Sequence, residues 1–200
     1  MLQKHKNFNS IVNKVTNQSS TQKKKIDRLI GKQNRIYFDR AEDFSKKFIK
    51  YLKHEKVPLK YAVNSYLKLC FDMFESHKYF MKYNKYPLAD EKDAYKQVYD
   101  NIKVMKSYMF GVAISQFLWS THYAMFSFFI KNIKKPNLKI KNYLEIGSGH
   151  GLFFLKTLPF STYCSPNIVA IFALFSSNNL CAILSASIVR NPCNLKRLQT

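Results

Sequence analysis

The sequence predicts an α/β chain: a mostly helical N-terminal region leading into the first βα unit of a doubly wound fold that is incomplete at the C-terminus. Three observations predict it. Apolar residues recur at helical spacing through most of residues 35–135. The strand candidate Tyr143-Leu-Glu-Ile146 then runs straight into Gly147-Ser-Gly-His-Gly151 and on into the apolar Leu152-Phe-Phe-Leu155. Strand, glycine loop and helix in that order open doubly wound folds. After Gly151 the chain has room for about two further βα units, taking strands of about 5–6 residues and helices of about 11–12.

The elements follow in order. Residues 1–34 are rich in Lys, Asn, Gln and Ser, with a weak apolar period at Ile11, Val15, Ile26, Leu29 and Ile30. They read as a basic flexible tail holding at most one marginal helix. Residues 35–135 read as a helical lead-in. A helix over 38–54 places Phe44, Phe48, Ile49 and Leu52 on one face and Lys on the other. Pro58 punctuates the chain. A longer helix over 59–83 carries Ala62, Val63, Tyr66, Leu67, Cys70, Met73, Phe74 and Phe80. After the loop Lys85–Ala89, the acids Asp90, Glu91 and Asp93 suit the start of a third helix, running to about Lys103. Residues 104–133 read as two buried helices broken near Ser120. Ser, Gln, Thr and His interrupt that run, which argues against a membrane span. A basic linker with Pro136 then leads into residues 136–200, the start of the α/β domain.

Composition bounds the function. Apolar residues make up 46% of the 200, enough for a core. The formal net charge of +21 invites a nucleic-acid reading, yet only five of 33 basic residues are Arg: Arg28, Arg35, Arg40, Arg190 and Arg197. Arg is the residue that bidentate phosphate recognition favours. With Lys, Asn, Tyr, Phe and Ile all abundant, the balance looks like an A/T-rich coding sequence and a solvated Lys surface, with no nucleic acid expected as partner. Cys70, Cys164, Cys181 and Cys193 form no C-x-x-C pair and have no His at zinc-like spacing, so no metal site is expected. They read as free thiols. Met1–Lys25 has no apolar signal-peptide core, which points to the cytoplasm.

The glycines need a physical reason. A loop that leaves a strand, turns sharply and lets a ligand approach its backbone uses Gly for positive φ and for the missing Cβ. A dinucleotide fingerprint would place its third glycine at position 152, which is Leu. The observed spacing is G-x-G-x-G with an acid two residues before it. Glu145, Gly147, Gly149 and Gly151 thereby resemble motif I of the class I S-adenosylmethionine-dependent methyltransferases, whose fold is Rossmann-like. The resemblance implies S-adenosyl-L-methionine as cofactor, held by Glu145, Gly147, Ser148, Gly149, His150 and Gly151. It implies methyl transfer to a nucleophile, with the protein mainly positioning the two partners; no catalytic base can be named. The helical segment ending in Gln116-Phe-Leu-Trp-Ser-Thr-His-Tyr-Ala124 is similar to the lead-in of bacterial methyltransferases labelled as acting on sugars. That implies a small-molecule acceptor, a sugar or other hydroxyl compound, with Trp119, His122 and Tyr123 lining a pocket. The same residues also read as core aromatics and a satisfied histidine.

The pattern then changes. From Ile146 to Thr200 there is no Asp or Glu, and residues 157–189 carry no charge at all. Doubly wound cofactor folds place an acid on the ribose about 20 residues after the loop. Three readings of residues 157–200 stand open: out-of-frame translation, a membrane-inserting tail over 168–189, and a diverged sheet-forming half. Asn178 and Asn179 interrupt the apolar tail. The expected function is thus a methyltransferase fragment. The alternative is a non-enzymatic basic helical module binding an anionic surface, nucleic acid or membrane, recognised by steep salt dependence.

Overall fold

The computed structural model describes residues 4–88, 90–134, 143–145, 149–157 and 168–169. Two compact units divide the chain. The first takes the residues up to Pro87 together with Phe110–Tyr123; the second takes Leu88–Met109 and the described residues from Ala124 on.

The first unit is helical. It holds α1 (Lys6–Thr16), α2 (Ser20–Ile30), α3 (Arg35–His54), α4 (Leu59–Tyr83), the end of α6 (Ile102–Leu118) and the start of α7 (Ser120–Ile133). Helix α1 forms because Phe8, Ile11, Val12 and Val15 share one face, and all four are buried. Its own N-cap, His5, supplies no side-chain bond. Glu42 on α3 supplies it instead, accepting from the Asn7 and Phe8 N–H groups at 3.2 and 2.9 Å. The exposed carboxylate of Asp39 adds a bond to His5 at 3.2 Å. Helices α2 and α3 carry local caps: Ser19 Oγ accepts from Gln22 N–H, and Asn34 Oδ1 accepts from Tyr37 N–H. Helix α4 ends where Asn84 turns left-handed at φ 53° and donates to the Phe80 carbonyl.

The core of this unit gathers Val15, Ile26, Tyr37, Phe48, Leu52, Val63, Tyr66 and Phe110. Tyr37 donates its hydroxyl to the Phe117 carbonyl. Gly111 lets α6 approach α4 closely: a Cβ there would lie 2.9 Å from the Ser65 carbonyl oxygen and 3.0 Å from Leu69 Cβ. The α4 stripe is buried only in its first half, at Ala62, Val63, Tyr66 and Leu69, while Met73 and Phe74 are exposed.

The second unit opens with α5 (Glu91–Ala94), capped by Asp90 Oδ1 at 2.9 and 3.0 Å. One π turn, Tyr95–Tyr99, follows and closes with Asp100 N–H on the Tyr95 carbonyl. The first half of α6 and the second half of α7 then contribute buried Met105, Met109, Phe126, Ile130 and Ile133. Residues Tyr143–Leu144 (β1), Leu152–Thr157 (α8) and Ile168–Val169 (β2) complete it. Phe153 of α8 packs edge-on to Phe126 and Phe129 of α7, with ring centroids 5.9 and 4.9 Å apart.

Several expectations are corrected. The α/β class does not hold, because the described fold is helical. Beyond its helices it has one parallel pairing two residues long, Tyr143 with Ile168 and Leu144 with Val169. A ladder of that length is not a sheet layer, since stable sheets use strands of about 5–6 residues and three or more strands. The physical reason is that helical apolar spacing recurs from Phe8 to Ile133, so burial is met by helix on helix. Where residues 1–34 were expected to hold at most one marginal helix, two helices form, α1 and α2, because the stripe begins at Phe8 and includes Val12. The third predicted helix is only the short α5 and a π turn, interrupted before Ile102. The break near Ser120 falls between α6 and α7, as the sequence suggests. Of the doubtful segment 157–200, all but Thr157, Ile168 and Val169 lies outside the described residues, as do Cys164, Cys181 and Cys193.

Candidate functional site

Among the described residues two places combine chemistry with shape, one in each unit. In the second unit, β1 delivers Glu145, which is half-buried. Ile146, Gly147 and Ser148 lie outside the described residues. Gly149 and Gly151 follow with φ of 52° and 71°, conformations that cost an L side chain about 1–2 kcal/mol. Between them His150 is buried, and its Nδ1 accepts the Leu152 N–H at 3.2 Å. The Gly151 carbonyl accepts from Leu155 N–H at 3.0 Å, which starts α8. Leu152, Phe154 and Thr157 bury the inner face of that helix. The first-turn N–H of Leu152 is therefore already engaged by an imidazole.

In the first unit, Trp119 sits at the corner between α6 and α7 and borders a cavity of about 470 Å³. Its indole Nε1–H donates to the Tyr66 hydroxyl at 3.2 Å, and that hydroxyl donates to Gln22 Oε1 at 3.1 Å. Burial pushes the Tyr66 phenol far above its usual range, so it stays neutral. Cys70 borders the same cavity, and burial raises its thiol pKa, which disfavours the nucleophilic thiolate.

His122 and Tyr123, expected beside Trp119 in a pocket, do not border this cavity. The His122 ring lies 4.8 Å from that of Trp119, and its Nδ1 is 2.9 Å from Ser115 Oγ. Ser115 gives its one proton to the Val112 carbonyl at 2.8 Å, so His122 Nδ1–H is the donor to Ser115. That direction cannot activate Ser115 as a nucleophile. Gln116 Nε2 donates to the His122 carbonyl, which fixes the corner further. Burial lowers the His122 pKa and keeps it neutral. Tyr123 packs edge-on to Tyr37 at 4.7 Å and accepts from Arg40 at 3.4 Å.

Among the described residues no three His, Cys, Asp or Glu side chains are placed to hold a metal ion, and no helix is long and apolar enough to cross a membrane. Sequence reasoning missed Gln22, Lys25, Arg28, Cys70 and His77 as cavity residues. The available signal was spacing: Gln22, Lys25 and Arg28 recur every third residue along one face of a helix. It stays unread while residues 1–34 are taken as a tail. Set against family models, curated proteins and solved structures, the chain matches none of them.

Proposed function

We propose that the segment Tyr143–Gly151 is an S-adenosyl-L-methionine-binding loop, and that the chain belongs functionally with methyltransferases acting on a small hydroxyl compound such as a sugar, in the cytoplasm. One observation carries the reading: Gly149 and Gly151 both adopt positive φ, so the last two glycines of the G-x-G-x-G spacing meet a backbone need as well as matching a pattern. The half-buried Glu145 carboxylate would accept from the cofactor's ammonium group. The missing Cβ atoms at Gly149 and Gly151 would leave room for its body. When bound, the cofactor supplies a sulfonium methyl group; the residues of this chain bind and orient it.

Isothermal calorimetry with S-adenosyl-L-methionine tests this. The unaltered chain should give a saturable heat. Gly151→Val should abolish it while helix content and Trp119 emission stay unchanged, and Glu145→Gln should weaken it about tenfold through loss of a charge-assisted bond. No heat from the unaltered chain, or unchanged affinity in Gly151→Val, would overturn the assignment. A methyl-transfer assay against nucleotide sugars then tests the acceptor.

A further inference from the structure

The helical cavity of the first unit has a chemistry of its own, independent of the glycine loop. Two cations border it, Lys25 and Arg28 on successive turns of α2, and no carboxylate does. Neither cation is ion-paired among the described residues; the nearby Asp27 is held by Lys23 at 2.6 Å. A third donor lies deeper. Gln22 is only 9% exposed. An indole N–H can only donate, so the relay runs one way, from Trp119 Nε1 to the Tyr66 hydroxyl and from that hydroxyl to Gln22 Oε1. The Gln22 amide NH₂ is the end of this relay. It has no acceptor among the described residues and borders the cavity. Ser120 and Thr121, which also border it, open the 14-residue α7, so the positive end of that helix lies at the same corner. Beside this donor cluster the wall is apolar: Met73 and Phe74 are 55% and 58% exposed. Large apolar side chains left open beside unpaired cations are a two-part complement.

We propose that this cavity binds a small soluble phosphate monoester with an aromatic or apolar body. The charge of such an ester, about −1.5 to −2 near neutrality, balances the two cations. The Arg28 fork matches two phosphate oxygens, Gln22 NH₂ supplies a neutral donor, and the ester's body covers Met73 and Phe74. The volume of about 470 Å³ falls in the range of small-molecule sites.

Trp119 is the only tryptophan in the chain, so its emission reports on this cavity alone. The full-length protein is titrated with phenyl phosphate, inorganic phosphate and phenol. Phenyl phosphate should change Trp119 emission saturably, and inorganic phosphate and phenol should each bind at least about tenfold more weakly. Arg28→Gln should cost about tenfold or more in affinity, Lys25→Gln less, and Arg28→Lys should restore part of the loss. Both positions face solvent, and far-UV circular dichroism should show unchanged helix content in all three variants. No saturable response to phenyl phosphate overturns the proposal. So does equal binding by inorganic phosphate, or unchanged affinity in Arg28→Gln. Association with phosphatidylserine vesicles without any response to phenyl phosphate also overturns it, and assigns the cations to a lipid surface.

Discussion

The helical cavity and the glycine loop are built in opposite ways. The cavity wall comes from three separated stretches, residues 22–29, 70–77 and 118–121, and exists only because α2, α4 and the α6–α7 corner pack together. The loop is one short run between β1 and α8, and what marks it is backbone conformation at Gly149 and Gly151. A site made by packing inherits the stability of its core. A turn made by local backbone inherits the conformational freedom of a few residues. Perturbing the core of the first unit should therefore dissolve the cavity while leaving the loop's own requirement for glycine untouched.

The largest break should come from Phe110→Ala. Phe110 is fully buried and packs against Phe48 and Tyr61 at 6.2 and 5.8 Å between rings. Truncating such a ring costs about 3–5 kcal/mol. Urea unfolding followed by Trp119 emission should show the midpoint fall accordingly. An unchanged midpoint would mean that the cavity does not depend on this core. Gly111→Ala comes next. The added Cβ would meet the Ser65 carbonyl oxygen at 2.9 Å, a backbone atom that cannot swing aside. Overpacking of this kind costs about 1–3 kcal/mol. A neutral or stabilising outcome, as expected for Gly→Ala in an unobstructed helix, would show that α4 and α6 can separate freely.

The same contrast explains what could be read from the sequence. The span of α4, Leu59–Tyr83, follows from Pro58 and the apolar period, and the Asp90 cap follows from an acid placed before Glu91 and Asp93. The turn that needs glycine at 149 and 151 was legible because its signal is contiguous. Helix α1 was not legible, although its stripe is complete once Phe8 and Val12 are counted. The Lys, Asn and Gln around that stripe resemble a tail, and its cap comes from Glu42, more than thirty residues away. The lining of the cavity stayed illegible for a related reason. Trp119 stands out in any reading, but its partners Gln22, Lys25 and Arg28 lie in the segment whose helix was missed. His122 drew attention as a lone histidine, and only the Ser115 bond and the Gln116 bond to its carbonyl show that it ties a corner. The predicted α/β class failed because a four-residue strand candidate yields a pairing of only two residues.

Glu42→Gln tests the long-range cap with a smaller effect. The amide retains one acceptor oxygen but loses the charge that favours the N–H groups of Asn7 and Phe8. Capping losses run at about 0.5–2 kcal/mol, and this conservative change belongs at the lower end. Hydrogen exchange should locate the loss in α1. Uniform loosening of α1, α2 and α3 alike would mean that Glu42 supports the whole unit rather than one helix end.

The smallest effect expected is a pH dependence at His122. Its pKa is lowered by burial, so the unfolded chain takes up a proton more readily than the folded one. The stability of the first unit should be flat above the unfolded histidine value of about 6.5, fall as pH drops below it, and level off below the folded value. Because Nδ1–H is committed to Ser115, the added proton goes to Nε2, and the corner bond can survive the titration. His122→Asn, which keeps a donor but cannot titrate, should remove this slope while changing the neutral-pH midpoint little. If the slope persists in the variant, the titrating group lies elsewhere. If the variant unfolds at neutral pH, the Ser115 bond matters more to the corner than the charge state does, and the cavity's third wall hangs on it.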